Sequence, residues 1–387
     1  MGESPKRSGG VLVVIIVCVE SLVPGMRLFA DMANHSGHPT VIWNDNLELL
    51  PNARLEPVPK ECVSVVQRFF DLKHESYGSL DHLEACCNTH YNAYLQRMDG
   101  LTTPKEQVIL VVWGSVSLVS RCAIYAAKTA GIGTILCVES PLLPEQKPRT
   151  SWIVTLDATY YEYNKNHENP LLRYFPIGFG DPIADIPAME EYRQWWLTNK
   201  QTKPYHRERV TDDEFCIPEE LQPSNPYRVV TFGQIYYDAA RMFQVEQGDL
   251  DLMIEASRTA GAVYKPHPLI DESSPPGLTV VPNGLSIHSV LKHANCTLTI
   301  NSNVGLETFM YGLPVVAFSD AIYRGPGLTA PPSLDVSDWY DPLHCDYNSR
   351  MIWLSVLRQR HHVHVEDNLD AAIDRLVEGR EIANAPS

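Results

Sequence analysis

Positive charge is scarce in this sequence. Across 387 residues, 31 lysines and arginines stand against 47 aspartates and glutamates, a formal charge of −16. Nucleic-acid binding depends on basic surface that releases counterions, so DNA or RNA is not expected as the main ligand. Long apolar runs are missing as well. The longest covers residues 11–19 and stops at Glu20, well short of the roughly 20 residues that a bilayer helix requires. Lys6 and Arg7 precede it, but no small-residue cleavage site follows and helical spacing resumes, so the run reads as a buried strand and not as a secretion signal. The nine cysteines lack metal-ligand spacing. Cys18, Cys137 and Cys296 lie in apolar segments and Cys86 adjoins Cys87, a pattern that suits reduced thiols in a cytoplasm. There is no internal repeat of solenoid period and no low-complexity tract.

What is present is core-forming material: 44% of residues are apolar and 20% charged, which argues for a folded chain. The length suits two domains of ordinary size. Residues 11–19, 40–43, 107–113 and 134–138 read as strands, with helical patterns over 21–34 and 117–130. Strands that are apolar on both faces and separated by helices imply a parallel sheet covered on both sides. Prolines, charges and aromatics gather between residues 164 and 227, and 217–227 reads as a linker. A second α/β series follows: strands at 228–233, 262–265, 296–300 and 314–318, with helices at 250–260, 286–293 and 305–311. The expected fold class is therefore α/β. Two Rossmann-like domains in tandem, 1–222 and 223–387, resemble the GT-B architecture, in which ligands bind in a central cleft at the carboxyl ends of the strands.

Two stretches carry chemistry on their own terms. In the first, a strand ends at Asn301, a turn of Ser302 and Asn303 follows, and a helix begins near Gly305 with Glu307 in its first turn. Free N–H groups at the helix start and the Ser302 hydroxyl could cradle a phosphate, with Gly305 letting the backbone come close. The alternative is plain capping by Ser302 or Asn303, with Glu307 near the positive dipole end. In the second, an apolar strand delivers Lys265 and His267 to its end, and Pro266 and Pro268 hold the turn open. A cationic lysine and an imidazole donor suit a phosphate and the charge that grows on it as it leaves. The alternative is a solvated lysine beside a structural histidine.

Taken in order, Lys265-Pro266-His267-Pro268, Asn301 to Glu307, Gly312-Leu313-Pro314-Val315-Val316 and Tyr323-Arg324-Gly325-Pro326-Gly327-Leu328-Thr329 resemble the capsule polysaccharide biosynthesis family. That family includes bacterial retaining β-Kdo glycosyltransferases, Kdo being 3-deoxy-manno-octulosonic acid. The resemblance implies a CMP-activated donor, with Lys265, His267, Pro268, Asn301, Ser302, Asn303, Gly305 and Glu307 around the CMP. The family's Gln-x-x-x-Asp element is matched by Gln234 and Asp238, which makes Gln234 a donor contact and Asp238 the nucleophile of a double displacement. From spacing alone, Asp238 is equally a helix cap. Ala240 stands where the family often has serine. In the first domain, Val111-Val112-Trp113-Gly114 and residues 137–144 match the family's Trp-Gly strand and its glutamate-bearing strand end. Glu139 is the implied general base, or else a loop glutamate fixing the turn, and Ser140-Pro141 replaces the usual Asp-Gly. Asp157 and Glu20 are placed on the acceptor side.

The resemblance thus implies transfer of Kdo, or a related ulosonic acid, from its CMP donor to a glycan or glycolipid in capsule or lipopolysaccharide synthesis. The donor domain is the second and the acceptor domain the first. No metal or other cofactor enters the scheme, because fixed donors and a helix terminus take that part. The implied location is cytoplasmic, beside the inner face of the cytoplasmic membrane, although no strongly basic amphipathic helix is evident. Rival readings are a sialyl or other CMP-ulosonate transferase, a nucleotide-sugar epimerase on the same fold, and a non-catalytic glycan-binding or assembly module. Asp212-Asp213 reads as solvated charge and not as a metal pair, and His361, His362 and His364 read as structural.

Overall fold

A computed structural model describes residues 14–19, 24–35, 38–44, 55–73, 79–145, 151–156, 183–200, 215–234, 245–268 and 275–384. Its contacts divide the chain into two compact units. One comprises residues 1–140, 152–159 and 363–377, and the other 141–151, 160–362 and 378–387. Among the described residues the strands are β1 (Val14–Val19), β2 (Thr40–Asn44), β3 (Val108–Trp113), β4 (Thr134–Glu139), β5 (Ser151–Leu156), β6 (Val229–Phe232), β7 (Val263–Lys265), β8 (Thr279–Val280), β9 (Cys296–Thr299), β10 (Val315–Ala317) and β11 (His362–His364).

The first unit is built on a six-stranded sheet in the order β11-β5-β4-β3-β1-β2. Strands β2, β1, β3 and β4 run parallel, and β5 pairs antiparallel to β4. Alternate side chains serve opposite faces. Val108, Leu110 and Val112 pack with residues from the helices Lys60–Lys73, Leu80–Asp99 and Leu118–Thr129. Ile109 and Val111 pack instead with Phe29 and Met32 of the helix Pro24–His35 and with Ala372 and Leu376 of the helix Leu369–Asn384. Burial on both faces explains why β3 and β4 show as continuous apolar runs in the sequence.

The second unit carries a five-stranded sheet, β10-β9-β6-β7-β8, with every pairing parallel. One face, with Val229, Cys296, Leu298 and Val316, packs with Met253 and Ala256 of the helix Gln247–Thr259. The other, with Val230, Phe232 and Val263, packs with Leu285, Val290 and Leu291. Leu221 is fully buried in that second cluster, so the proline-rich stretch 217–227 is seated on the sheet where the sequence suggested a linker. Both units have the Rossmann-like α/β composition expected of a GT-B protein. Among the described residues, no helix is long and apolar enough to cross a membrane.

Arg350, in the helix Tyr347–Val356, is a charged group at the centre of the second unit. Its Nε donates to the Leu328 carbonyl at 2.9 Å and its Nη1 to the Leu313 carbonyl at 2.8 Å, while the guanidinium lies 4.7 Å from the Phe309 ring centroid. Burial lowers its pKa from the ordinary arginine value. These bonds tie the turn after the helix Val304–Tyr311 to the glycine-rich loop 325–329. Arg350→Ala would strand both carbonyls and hollow out the packing against Phe309. The expected loss is about 3–5 kcal/mol of stability in the second unit, measured by denaturant unfolding, with a smaller loss for Arg350→Lys.

Candidate functional site

Parallel pairing brings four strand ends of the second unit into one row. Lys265 is opposite Phe232, Phe232 opposite Thr299, and Thr299 opposite Ala317. At about 4.8 Å per strand the row spans about 14 Å. The ladder continues past the strands through Gly233 N–H to Lys265 O at 2.9 Å, Phe318 N–H to Thr299 O at 3.0 Å and Ser319 N–H to Ile300 O at 2.9 Å. Two residues beyond the row come Gln234, His267, Asn301 and Ser319, all on the carboxyl edge. Gln234, Asn301 and Ser319 are buried and His267 is half-buried. Of the expected donor-site residues, the fold therefore brings Gln234, Lys265, His267, Pro268 and the 301–307 segment to one edge of one unit.

The turn at the end of β9 is tightly wired. Asn301 Nδ2 donates to the Asp320 carbonyl at 3.2 Å, and Ser302 N–H donates to Thr299 Oγ1 at 3.2 Å. Gly305 N–H donates to Ser302 O and Leu306 N–H to Asn303 O, each at 3.0 Å. Asn303 occupies the N-cap position of the helix Val304–Tyr311 without capping it by its side chain, and Ser302 Oγ accepts from Val304 N–H at a long 3.4 Å. Glu307 is buried in the first turn, where a carboxylate already meets the positive end of the helix. The space over the Gly305 α-carbon, expected to admit a ligand, is filled by the ring of Tyr323, which a β-carbon at that position would overlap.

Lys265 is almost wholly buried, and its ammonium donates to the Pro266 and Asn283 carbonyls, each at 3.1 Å. Two of its three N–H donors thus serve the protein's own turns. Burial brings its pKa down to about 8. A β-carbon on Gly233 would overlap the Tyr264 hydroxyl and stand 3.4 Å from His267 N, so glycine there lets the end of β6 approach the His-Pro turn.

In the first unit, Glu139 is the half-buried last residue of β4, opposite Ile153 of β5. Gly114, next to Trp113, has φ 60° and donates its N–H to Val138 O at 2.9 Å. Only glycine adopts that turn freely, which explains the Trp-Gly strand end. Asp238, Ala240, Asp157, Glu20, Asp212 and Asp213 lie outside the described residues. His361 and His362 are buried, and among the described residues no three His, Cys, Asp or Glu side chains form a metal-sized cluster. Spacing missed the parts played by Tyr323, Asn283 and Arg350. The one signal for Arg350 was a lone charge beside the apolar run Met351-Ile352-Trp353-Leu354.

Residues 270–346 match the sequence model of the capsule polysaccharide biosynthesis proteins. The matched region contains the Asn301 to Glu307 turn, the Gly312 to Val316 segment and the Tyr323 to Thr329 loop, while Gln234, Lys265 and His267 precede it. No curated protein matches the chain. Solved structures with a similar course include two from Thermosulfurimonas dismutans KpsC. The β-Kdo 2,4 transferase has TM-score 0.45 and 18% identity, covering 64% of this chain and 78% of that one. The β-Kdo 2,7 transferase has TM-score 0.44 and 17% identity, covering 82% and 96%. UDP-GlcNAc 2-epimerase from Neisseria meningitidis, bound to UDP-GlcNAc, has TM-score 0.34 and 11% identity over 95% and 100%. Scores this low carry neither substrate nor mechanism to this chain.

The Lys265 environment sets a pH signature. Its folded pKa of about 8 lies below the unfolded 10.5, so over that window the unfolded chain binds more protons and stability rises with pH. The wild-type stability measured relative to Lys265→Met should therefore increase by about 2–3 kcal/mol across it, read from denaturant unfolding at successive pH values. A flat difference would mean that the ammonium is not held in this buried place.

Proposed function

We propose that the protein is a glycosyltransferase that moves Kdo, or a related ulosonic acid, from a CMP-activated donor to a glycan or glycolipid acceptor in bacterial surface polysaccharide synthesis. One observation carries the reading. The His-Pro turn, Gln234 and the Asn-Ser-Asn turn converge on a single carboxyl edge of a parallel sheet, and the last of these lies inside the stretch that matches the capsule polysaccharide model. In α/β sheets such an edge is where ligands bind.

The chemistry follows from what must be stabilised. Breaking the bond from the anomeric carbon to the phosphate leaves its electron pair on CMP, so donors must meet a growing negative charge. We assign that part to His267 and to the backbone N–H of Asn303, with Gln234 orienting the donor. Lys265 acts from behind, by holding the carbonyls of Pro266 and Asn283. Asp238 is the proposed nucleophile. Its carboxylate oxygen attacks the anomeric carbon as CMP leaves, and the acceptor hydroxyl then displaces it, giving its proton to Glu139. Two inversions retain the configuration.

The decisive experiment supplies the full-length protein with CMP-Kdo generated in situ. Intact mass should reveal an adduct of one Kdo residue that is lost in Asp238→Ala, and His267→Ala should lower kcat by about 10²–10³. No adduct together with normal turnover in Asp238→Ala would remove the nucleophile assignment. Consumption of a nucleotide sugar without acceptor would favour an epimerase instead.

A further inference from the structure

Tyr323 is completely buried, yet the proposed chemistry gives it no part. Its hydroxyl donates to the Ser302 carbonyl, its ring covers the Gly305 α-carbon, and its edge meets the Phe309 ring at a centroid distance of 5.6 Å and an interplanar angle of 77°. Phe309 in turn supports the Arg350 guanidinium, which holds the carbonyl of Leu328 at the far end of the loop that carries Tyr323. The Ser302 carbonyl therefore has two donors, the Tyr323 O–H and the Gly305 N–H.

That double hold has a geometric consequence. A trans peptide is planar, so fixing the carbonyl of Ser302 toward Tyr323 turns the N–H of Asn303 the opposite way. Among the described residues this N–H meets no acceptor, whereas those of Ser302, Gly305 and Leu306 all do. Burial pushes the Tyr323 pKa well above the ordinary phenol value, so the group remains an O–H donor at physiological pH.

We propose that Tyr323 is a positioning residue for the donor phosphate: by pinning the Ser302–Asn303 peptide it presents the Asn303 N–H as a preset anion donor, with Phe309 and Arg350 holding the ring in place. The phosphate part of this inference rests on the CMP-donor reading above. The positioning part rests on geometry alone.

Tyr323→Phe keeps the ring over Gly305 and removes only the hydroxyl. Tyr340→Phe, which removes the bond from Tyr340 to Asn295 Oδ1 at 2.9 Å elsewhere in the same unit, is the control. Hydrogen exchange followed by mass spectrometry should show the peptide covering residues 301–306 exchanging at least about fivefold faster in Tyr323→Phe than in wild type or control. By calorimetry on the full-length chain, CMP should bind about five- to tenfold more weakly to Tyr323→Phe, with cytidine affinity unchanged. A general structural defect would weaken both ligands alike, and that result would overturn the proposal, as would unchanged exchange at 301–306. If wild type binds CMP no better than cytidine, the donor reading falls, and the exchange result decides the positioning role: faster exchange upholds it, unchanged exchange ends it.

Discussion

A parallel sheet has one edge at which every strand finishes, and the second unit is organised around that constraint. The pairing of Lys265, Phe232, Thr299 and Ala317 in a single row means that four separate stretches of sequence release their polar residues at the same height. Gln234, His267, Asn301 and Ser319 come together because each lies two residues past the row. An antiparallel neighbour would send alternate strand ends to opposite sides. Slipping one strand by a residue would turn its side chains from one covering layer to the other, where the buried clusters leave no room.

Behind the edge, buried polar side chains serve the backbone. Arg350 takes the carbonyls of Leu313 and Leu328, Lys265 those of Pro266 and Asn283, and Tyr323 that of Ser302. Carbonyls in irregular loops need partners once water is excluded, and long donors meet that need across several ångströms. The result is a set of turns whose peptide planes are set in advance, the condition under which backbone dipoles stabilise charge without reorganising. The cationic Lys265 and Arg350 beside the motifs thus act on loop shape, through the carbonyls they hold.

Much of the framework was legible in the sequence. Strands expected at 296–300 and 314–318 are Cys296–Thr299 and Val315–Ala317, and the helix expected at 305–311 is Val304–Tyr311, because burial on both faces writes itself as an apolar run. The helix Leu80–Asp99 escaped notice although Ser79 caps it, since its buried residues are spread among polar ones over five turns. Strands β5 and β11 were missed as well, lying at the outer side of their sheet. Within the site, spacing placed Lys265 at the strand end but could not say where a flexible ammonium turns, and one of its two carbonyl partners, Asn283, lies 18 residues further along the chain. Gly305 and Tyr323 are both visible in the motifs, yet only the fold shows that one makes room for the other.

The first unit closes with β11 and the early part of the helix Leu369–Asn384, residues that follow the whole of the second sheet in the chain. Ala372 and Leu376 cover one face of a sheet whose earliest described strand begins at Val14. During synthesis the first unit therefore cannot complete its core before residues 363–377 have been made. A single cut between the halves of the chain would leave the segment that covers this face on the other fragment, so closing the core would become a bimolecular event.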